Sequence, residues 1–445
     1  MVLVTLLFDM KTLLKNATVL DYNSSFHTKT VDILIVDGKI IDISENINTS
    51  AELIISEKNL HVSLGWFDSS VCFGEPGFED RETIINGLKT ASYSGFTDIC
   101  LQPNTYPKVD NNSILSFFKT IDSEYPCKIH PIACFSIDGK GKKMSEFFDL
   151  HKGGAVAFGD FLAPIKNPNL LKAALLYVQT FDGLIISTPR DPYLNLNGLV
   201  NEGIKSTELG LSPIPSIAET IQIQRDISIL NYTGGKLHIP YVSSLESIEI
   251  IRNAKKNGLN ISASVPIANL AFNDEILDGF NSNYKLFPPI RSKEDQKKLK
   301  EGVLDGTVDI VTSHHQPINS ELKQVDFNSA EYGTISLEAM FGVLNKIFSV
   351  EKVVELLTKG RNIFNLENPK IDKGEKACIT FFDPSKRDKF STDNIISTSK
   401  NCAFINFEII GKVYGCINQN KIHYNKNWVK HSNIEFISQV ILKMI

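Results

Sequence analysis

Eight short apolar runs, at residues 64–68, 97–101, 129–134, 155–158, 183–186, 237–239, 260–263 and 308–311, alternate with stretches of helical periodicity. Strand-length runs that recur with a helix-length segment between them specify repeated βα units and a parallel sheet. The chain is therefore predicted to be of α/β class, with a (β/α)8 barrel of TIM type over residues 64–365. In such a barrel the functional groups gather at the C-terminal ends of the strands, so the residues that follow each run are the ones to read for chemistry.

The flanks read differently. Residues 11–60 are patterned as short strands, and 31–43 reads as a hairpin with Asp37-Gly38 at its turn, a pair suited to type I′ geometry. Strand patterning returns after residue 370, in ACITFFDP, CAFINFEII and GKVYGCINQNKI. Residues 11–63 and 366–430 are expected to form one small β-sandwich domain built from both ends. Residues 1–10, MVLVTLLFDM, are too short to span a bilayer and lack a basic flank and a cleavage site. They are read as an extension without function, with no membrane segment.

A formal net charge of −5 argues against a nucleic-acid surface. The mixed-charge run 291–301 is expected to be a solvated helix face. Seven scattered cysteines, odd in number and without a C-x-x-C pair, fit reduced thiols in a cytoplasmic protein. No G-x-G-x-x-G opens a helix after Gly153-Gly154 or Gly234-Gly235, and no G-x-S-x-G surrounds Ser69 or Ser70.

The most specific segment is 64–77, LGWFDSSVCFGEPG. It resembles D-x-H-x-H-x-R-E-P-G, the first-strand signature of the dihydroorotase branch of the amidohydrolase superfamily. Other segments resemble that family in the right order: QPNTYPKVDN at 102–111, the long run at 287–317, and LTKGRNIFNLENPKIDKGEKACITFFDP at 357–384. The resemblance covers about residues 11–425. It implies a cyclic amidohydrolase in which one or two zinc ions activate water and polarise the amide carbonyl.

The family's site residues can be carried over position by position. Asp68 keeps the signature aspartate. The two first-strand histidines are Ser70 and Cys72, and the substrate-clamping arginine is Gly74. Asn104, a carboxylate contact in the family, remains. The fourth-strand carboxylate is Asp160, the fifth-strand histidine falls at Thr188, the sixth-strand histidine at Tyr241, and the eighth-strand catalytic aspartate at His314. Hydroxyls are poor zinc ligands, and none of the nine histidines replaces the lost set: only His314 and His315 fall at the right rim.

Three readings follow from the resemblance. In the first, the chain is a pseudoenzyme of pyrimidine biosynthesis with a vestigial pocket and no metal or other cofactor. In some bacteria inactive dihydroorotase homologues support aspartate carbamoyltransferase, which makes that enzyme the expected partner, with a homo-oligomer also expected. A ligand sensor using Asn104, Arg190 and His314 is a variant of this reading. In the second, Cys72, Asp160 and His314 hold a single zinc. The plainer account of the same residues is a small buried Cys72 and an Asp160 paired with His314. In the third, the chain is an active dihydroorotase.

Overall fold

A computed structural model describes residues 11–194 and 197–425. The extension 1–10, the last five residues expected for the β domain (426–430) and His431 lie outside the described residues.

The eight runs form eight parallel strands: Trp66–Val71, Phe96–Leu101, Lys128–Ala133, Ala157–Phe158, Leu184–Ile186, Lys236–Ile239, Ile261–Pro266 and Ile310–Thr312. Each pairs with its sequence neighbour in one eight-stranded sheet. A parallel bridge between Val71 and His315 brings the last strand back to the first and nearly closes the barrel. Strands this short and apolar survive because both faces are buried, by the barrel interior and by the helices. Those helices carry local start signals. Ser292 and Asp295 make a reciprocal capping box on the helix Lys293–Leu304, and Ser244 caps Leu245–Lys256.

Phe67, Cys100, Ile132, Ala157, Leu184, Ile310 and Phe364 form one buried apolar cluster. Beside them Arg361, 1% exposed, donates to the carboxylate of Asp98 at 2.5 Å and to the Gly65 carbonyl at 2.5 Å. The charge run at 291–301 departs from expectation at its first residue. Arg291 is 3% exposed rather than solvated. Its guanidinium donates to Ser243 Oγ at 3.0 Å, and to Asn201 Oδ1 and the Ile214 carbonyl at 2.9 Å each. These partners come from three distant segments, so a linear charge pattern could not reveal them.

Strands from both flanks form a second eight-stranded sheet with its own core, built on Leu14, Val19, Ile33, Ile35, Val62, Ile379, Phe381 and Ile417. The strands Thr30–Val36 and Lys39–Ser44 make the expected hairpin, with Asp37 and Gly38 both at positive φ. Trp66 joins the two sheets. Its ring stacks on Phe341 with centroids 4.8 Å apart and touches Phe382 at 5.5 Å.

Candidate functional site

The C-terminal rim gathers most of the residues singled out in the sequence, but it ties them to one another and to the main chain. Asp68 is fully buried. Its carboxylate accepts from Ser70 N at 2.9 Å, Ser313 N at 2.9 Å and Thr312 Oγ1 at 2.5 Å, which pins the first strand to the eighth. Burial raises its pKa against these donors.

Ser70 Oγ lies 2.8 Å from Tyr241 OH and 3.3 Å from His314 Nδ1. On the other side of the imidazole, Nε2 lies 2.9 Å from the Phe287 carbonyl. A carbonyl can only accept, so Nε2 carries the proton and Nδ1 accepts from Ser70. The Gln316 side-chain amide lies 2.6 Å from the same Nε2, and with Nε2 protonated it must turn its oxygen to that atom to accept from it. Tyr241 meets His314 through its ring, centroids 4.0 Å apart, while its hydroxyl bonds Ser70. The result is a relay, Tyr241–Ser70–His314–Phe287, across the sixth, first and eighth strands and the segment after the seventh.

Tyr241 and His314 adopt positive φ, 57° and 49°. For side-chain-bearing residues this conformation costs about 1–2 kcal/mol each, and the relay and ring contact offset it. Phe161, at φ 56°, packs its ring 6.1 Å from His314. Tyr241 and His314 are both buried there. A cavity against Tyr241 and another against His314 each hold about 10 Å³, room for a single water.

The remaining positions are also engaged. Thr188 Oγ1 donates to the Phe161 carbonyl. Asp160 does not pair with His314. Its two oxygens accept from Ser136 N at 3.0 Å and Ser136 Oγ at 2.5 Å, because the third-strand loop presents both donors of one residue to it. Cys72 is 2% exposed, and burial pushes its thiol up. Its main-chain N–H donates to the His315 carbonyl at 2.8 Å. Asn104 Oδ1 is buried and has no hydrogen-bond partner among the described residues. His238 lies off the rim, its ring nitrogens 2.8 and 3.0 Å from the Ser262 and Ser264 hydroxyls.

Gly74 sits where no side chain fits. A Cβ there would lie 1.7 Å from the Phe78 carbonyl oxygen. Among the described residues no three His, Cys, Asp or Glu side chains converge in a way that could hold a metal ion, so Cys72, Asp160 and His314 are not brought into one ligand set. The groups that do converge are the Tyr241 and Ser70 hydroxyls and the His314 imidazole, bonded to one another and to the Phe287 carbonyl. One imidazole among hydroxyls does not fit a zinc centre, which needs several imidazole, thiolate or carboxylate ligands. Sequence reading missed Ser136, Phe161 and Phe287, none of which occupies a family ligand position.

The buried imidazoles carry a pH consequence. Burial pushes His238, His314 and His315 each down to about 3. The unfolded chain takes a proton at each near pH 6.5, while the folded chain stays neutral. Their contribution to stability is complete above pH 6.5 and is lost as pH falls toward 3, at up to ~1.4 kcal/mol per pH unit for each. Urea melts should show stability falling between pH 6 and 4, and His238→Asn should flatten that slope. An unchanged slope would reject the assignment.

This architecture has close counterparts among solved structures. An L-hydantoinase (dihydropyrimidinase) from Arthrobacter aurescens superposes with a TM-score of 0.81 over 95% of this chain and 97% of its own, at 20% sequence identity. A D-hydantoinase does so at 0.78 over 94% and 96%, at 17% identity. The fold is thus that of the amidohydrolase-type barrels. In sequence, a family model described as "Dihydro-orotase-like" matches residues 61–247. A dihydroorotase of Carboxydothermus hydrogenoformans is 34% identical over 426 residues, 94% of this chain and 99% of its own. One of Caldicellulosiruptor saccharolyticus is 36% identical over 405 residues, covering 88% and 94%. The chain belongs to the dihydroorotase family.

Proposed function

We propose that this chain is a dihydroorotase homologue that serves pyrimidine biosynthesis in the cytoplasm through binding rather than hydrolysis, as a scaffold for aspartate carbamoyltransferase. The observation that carries the reading is the relay at the mouth: Ser70, Tyr241 and His314 stand at three family site positions and satisfy one another there. Hydrolysis of a cyclic amide needs an activated water, a proton carrier and a hold on the substrate. Among the described residues no metal-ligand set converges, the position of the family's proton carrier is an imidazole with partners at both nitrogens, and the clamp position is Gly74. Losing one such group can cost orders of magnitude in rate.

The test is direct. Purified protein, assayed with dihydroorotate in one direction and carbamoyl aspartate in the other, should show no turnover above background with or without added zinc. Aspartate carbamoyltransferase should copurify from the native host. A second reading, an active zinc-dependent dihydroorotase, is favoured by the names that the similar curated proteins carry. Turnover abolished by Asp160→Ala, with stoichiometric zinc in the sample, would establish that reading and reject the first.

A further inference from the structure

At the N-terminal end of the barrel, opposite the relay, a cleft of about 530 Å³ lies between the start of the third strand and the turn at 418–421 of the terminal sheet. The cavities at the mouth hold about 10 Å³ each. This end of a barrel ordinarily serves stability, yet sites for small organic ligands measure about 300–1,000 Å³. The barrel side of the cleft is apolar, with Phe118, Ile121, Tyr125 and Ile129. The sheet side brings Gln419 and Asn420, whose carboxamides make no hydrogen bond among the described residues.

His130 lines both this cleft and an adjoining one of about 90 Å³. Its Nε2 lies 2.8 Å from Asp98 Oδ1. A carboxylate can only accept, so Nε2 carries the proton. In the neutral ring Nδ1 is then an acceptor, and it bonds nothing among the described residues. The charged groups that line the two spaces are Asp98, Lys128, Arg361, Glu367, Lys376 and Lys421. Arg361 is paired with Asp98, and Lys376 with Glu367 at 2.9 Å. Lys421 donates to the Ser123 carbonyl. The Lys128 ammonium has neither an ion pair nor a hydrogen bond among the described residues. Asp122 and Glu124, exposed on the loop before the third strand, stand outside the lining, and Glu124 bonds the Tyr125 hydroxyl.

We propose that this cleft binds a nucleoside monophosphate, with the phosphate on Lys128, a ribose hydroxyl on His130 Nδ1 and the base against Phe118, Ile121 and Tyr125. A nucleobase has apolar faces and an edge that both donates and accepts. The faces suit the aromatic side of the cleft, and the edge suits the carboxamides of Gln419 and Asn420. Nδ1 calls for a donor, which a sugar hydroxyl supplies. One cation without a partner matches a single phosphate group rather than a chain of three. Free phosphate would leave the apolar side and the carboxamides unused. No residue of the relay lines the cleft, so the site is independent of how the mouth is read.

The experiment is calorimetric titration of the full chain with UMP and AMP, and separately with their nucleosides, ribose 5-phosphate and inorganic phosphate, at constant ionic strength. Saturable binding of a mononucleotide is expected, with the nucleosides and inorganic phosphate weaker by about tenfold or more. Lys128→Gln should weaken the mononucleotide about tenfold and leave the nucleoside unchanged. Tyr125→Ala should weaken both by about fivefold or more through lost stacking, and it keeps the test if Lys128→Gln does not fold. Lys298→Gln, a surface control, should change nothing. No saturable binding of either mononucleotide, an affinity unchanged in either variant, or inorganic phosphate binding as tightly as the nucleotide would overturn the proposal. Dihydroorotate turnover is no part of this readout, so its outcome and that of the reading of the mouth are separate.

Discussion

Gly74→Arg, the change that restores the residue type of the family signature, is expected to destabilise the protein by ~3 kcal/mol or more rather than to restore a substrate clamp. Even the first side-chain atom has no room. A Cβ at Gly74 would meet the Phe78 carbonyl at 1.7 Å for oxygen and 2.6 Å for carbon. That carbonyl cannot simply swing away, because Phe78 N donates back to Gly74 O at 2.8 Å and Gly74 N donates to Glu82 O at 2.9 Å. Glu82 is in turn fully buried and accepts from Thr398 N at 2.9 Å and Thr398 Oγ1 at 2.8 Å. Making space means pulling a locked turn off a distant segment. Gly74→Ala should show most of the loss, since the clash is at Cβ. Chemical denaturation of both variants measures it. A Gly74→Arg protein as stable as the parent would show that the turn yields.

The same turn shows what a sequence can and cannot carry. That residue 74 is glycine where the resembled signature has arginine is legible from the sequence alone. The closed space there is not, because it depends on how Phe78 and Glu82 fold back over Gly74 and on the bonds Glu82 makes to Thr398. The eight barrel strands were legible because each is a short apolar run buried on both faces, a property of the run itself. Their ends moved by a few residues because pairing with the neighbouring strands, rather than hydrophobicity, decides the boundary. The hairpin at Asp37-Gly38 was legible from its turn. By contrast, the bond of Asp160 to Ser136, the burial of Arg291 and the Tyr241–Ser70 contact are meetings of residues 24, 48 and 171 positions from a partner. No local pattern encodes them. Arg190 is an intermediate case: its position at the rim could be read, but that its buried Nε has no hydrogen-bond partner among the described residues could not.

Arg361→Met should be the most damaging single change at the opposite end of the barrel, at a cost of ~3–5 kcal/mol. Arg361 and Asp98 form an ion pair at 2.5 Å, with side chains 1% and 11% exposed. His130 Nε2 lies 2.8 Å from the other oxygen of Asp98, and Arg361 also holds Thr97 Oγ1 at 2.8 Å and the Gly65 carbonyl at 2.5 Å. Burial alone would raise the Asp98 carboxyl. The charge of Arg361, then the hydrogen bond and charge of His130, outweigh it and hold the group well below the usual carboxylate range. Removing Arg361 leaves a buried carboxylate facing one histidine, together with a carbonyl and a hydroxyl that lose their donor. The cost is that of stranded polar groups rather than of the pair itself, so Asp98→Leu combined with Arg361→Met should recover part of the loss. The pH dependence separates this network from the rim. A depressed carboxylate contributes stability that is present above about pH 3.9, its unfolded value, and is lost as pH falls through the lower folded value. Loss between pH 6 and 4 therefore belongs to the buried imidazoles, and below pH 4 Asp98 adds to theirs. Arg361→Met should lessen the loss below pH 4 while leaving the slope between pH 6 and 4. If the variant melts within 1 kcal/mol of the parent, the network does not hold the base of the barrel together.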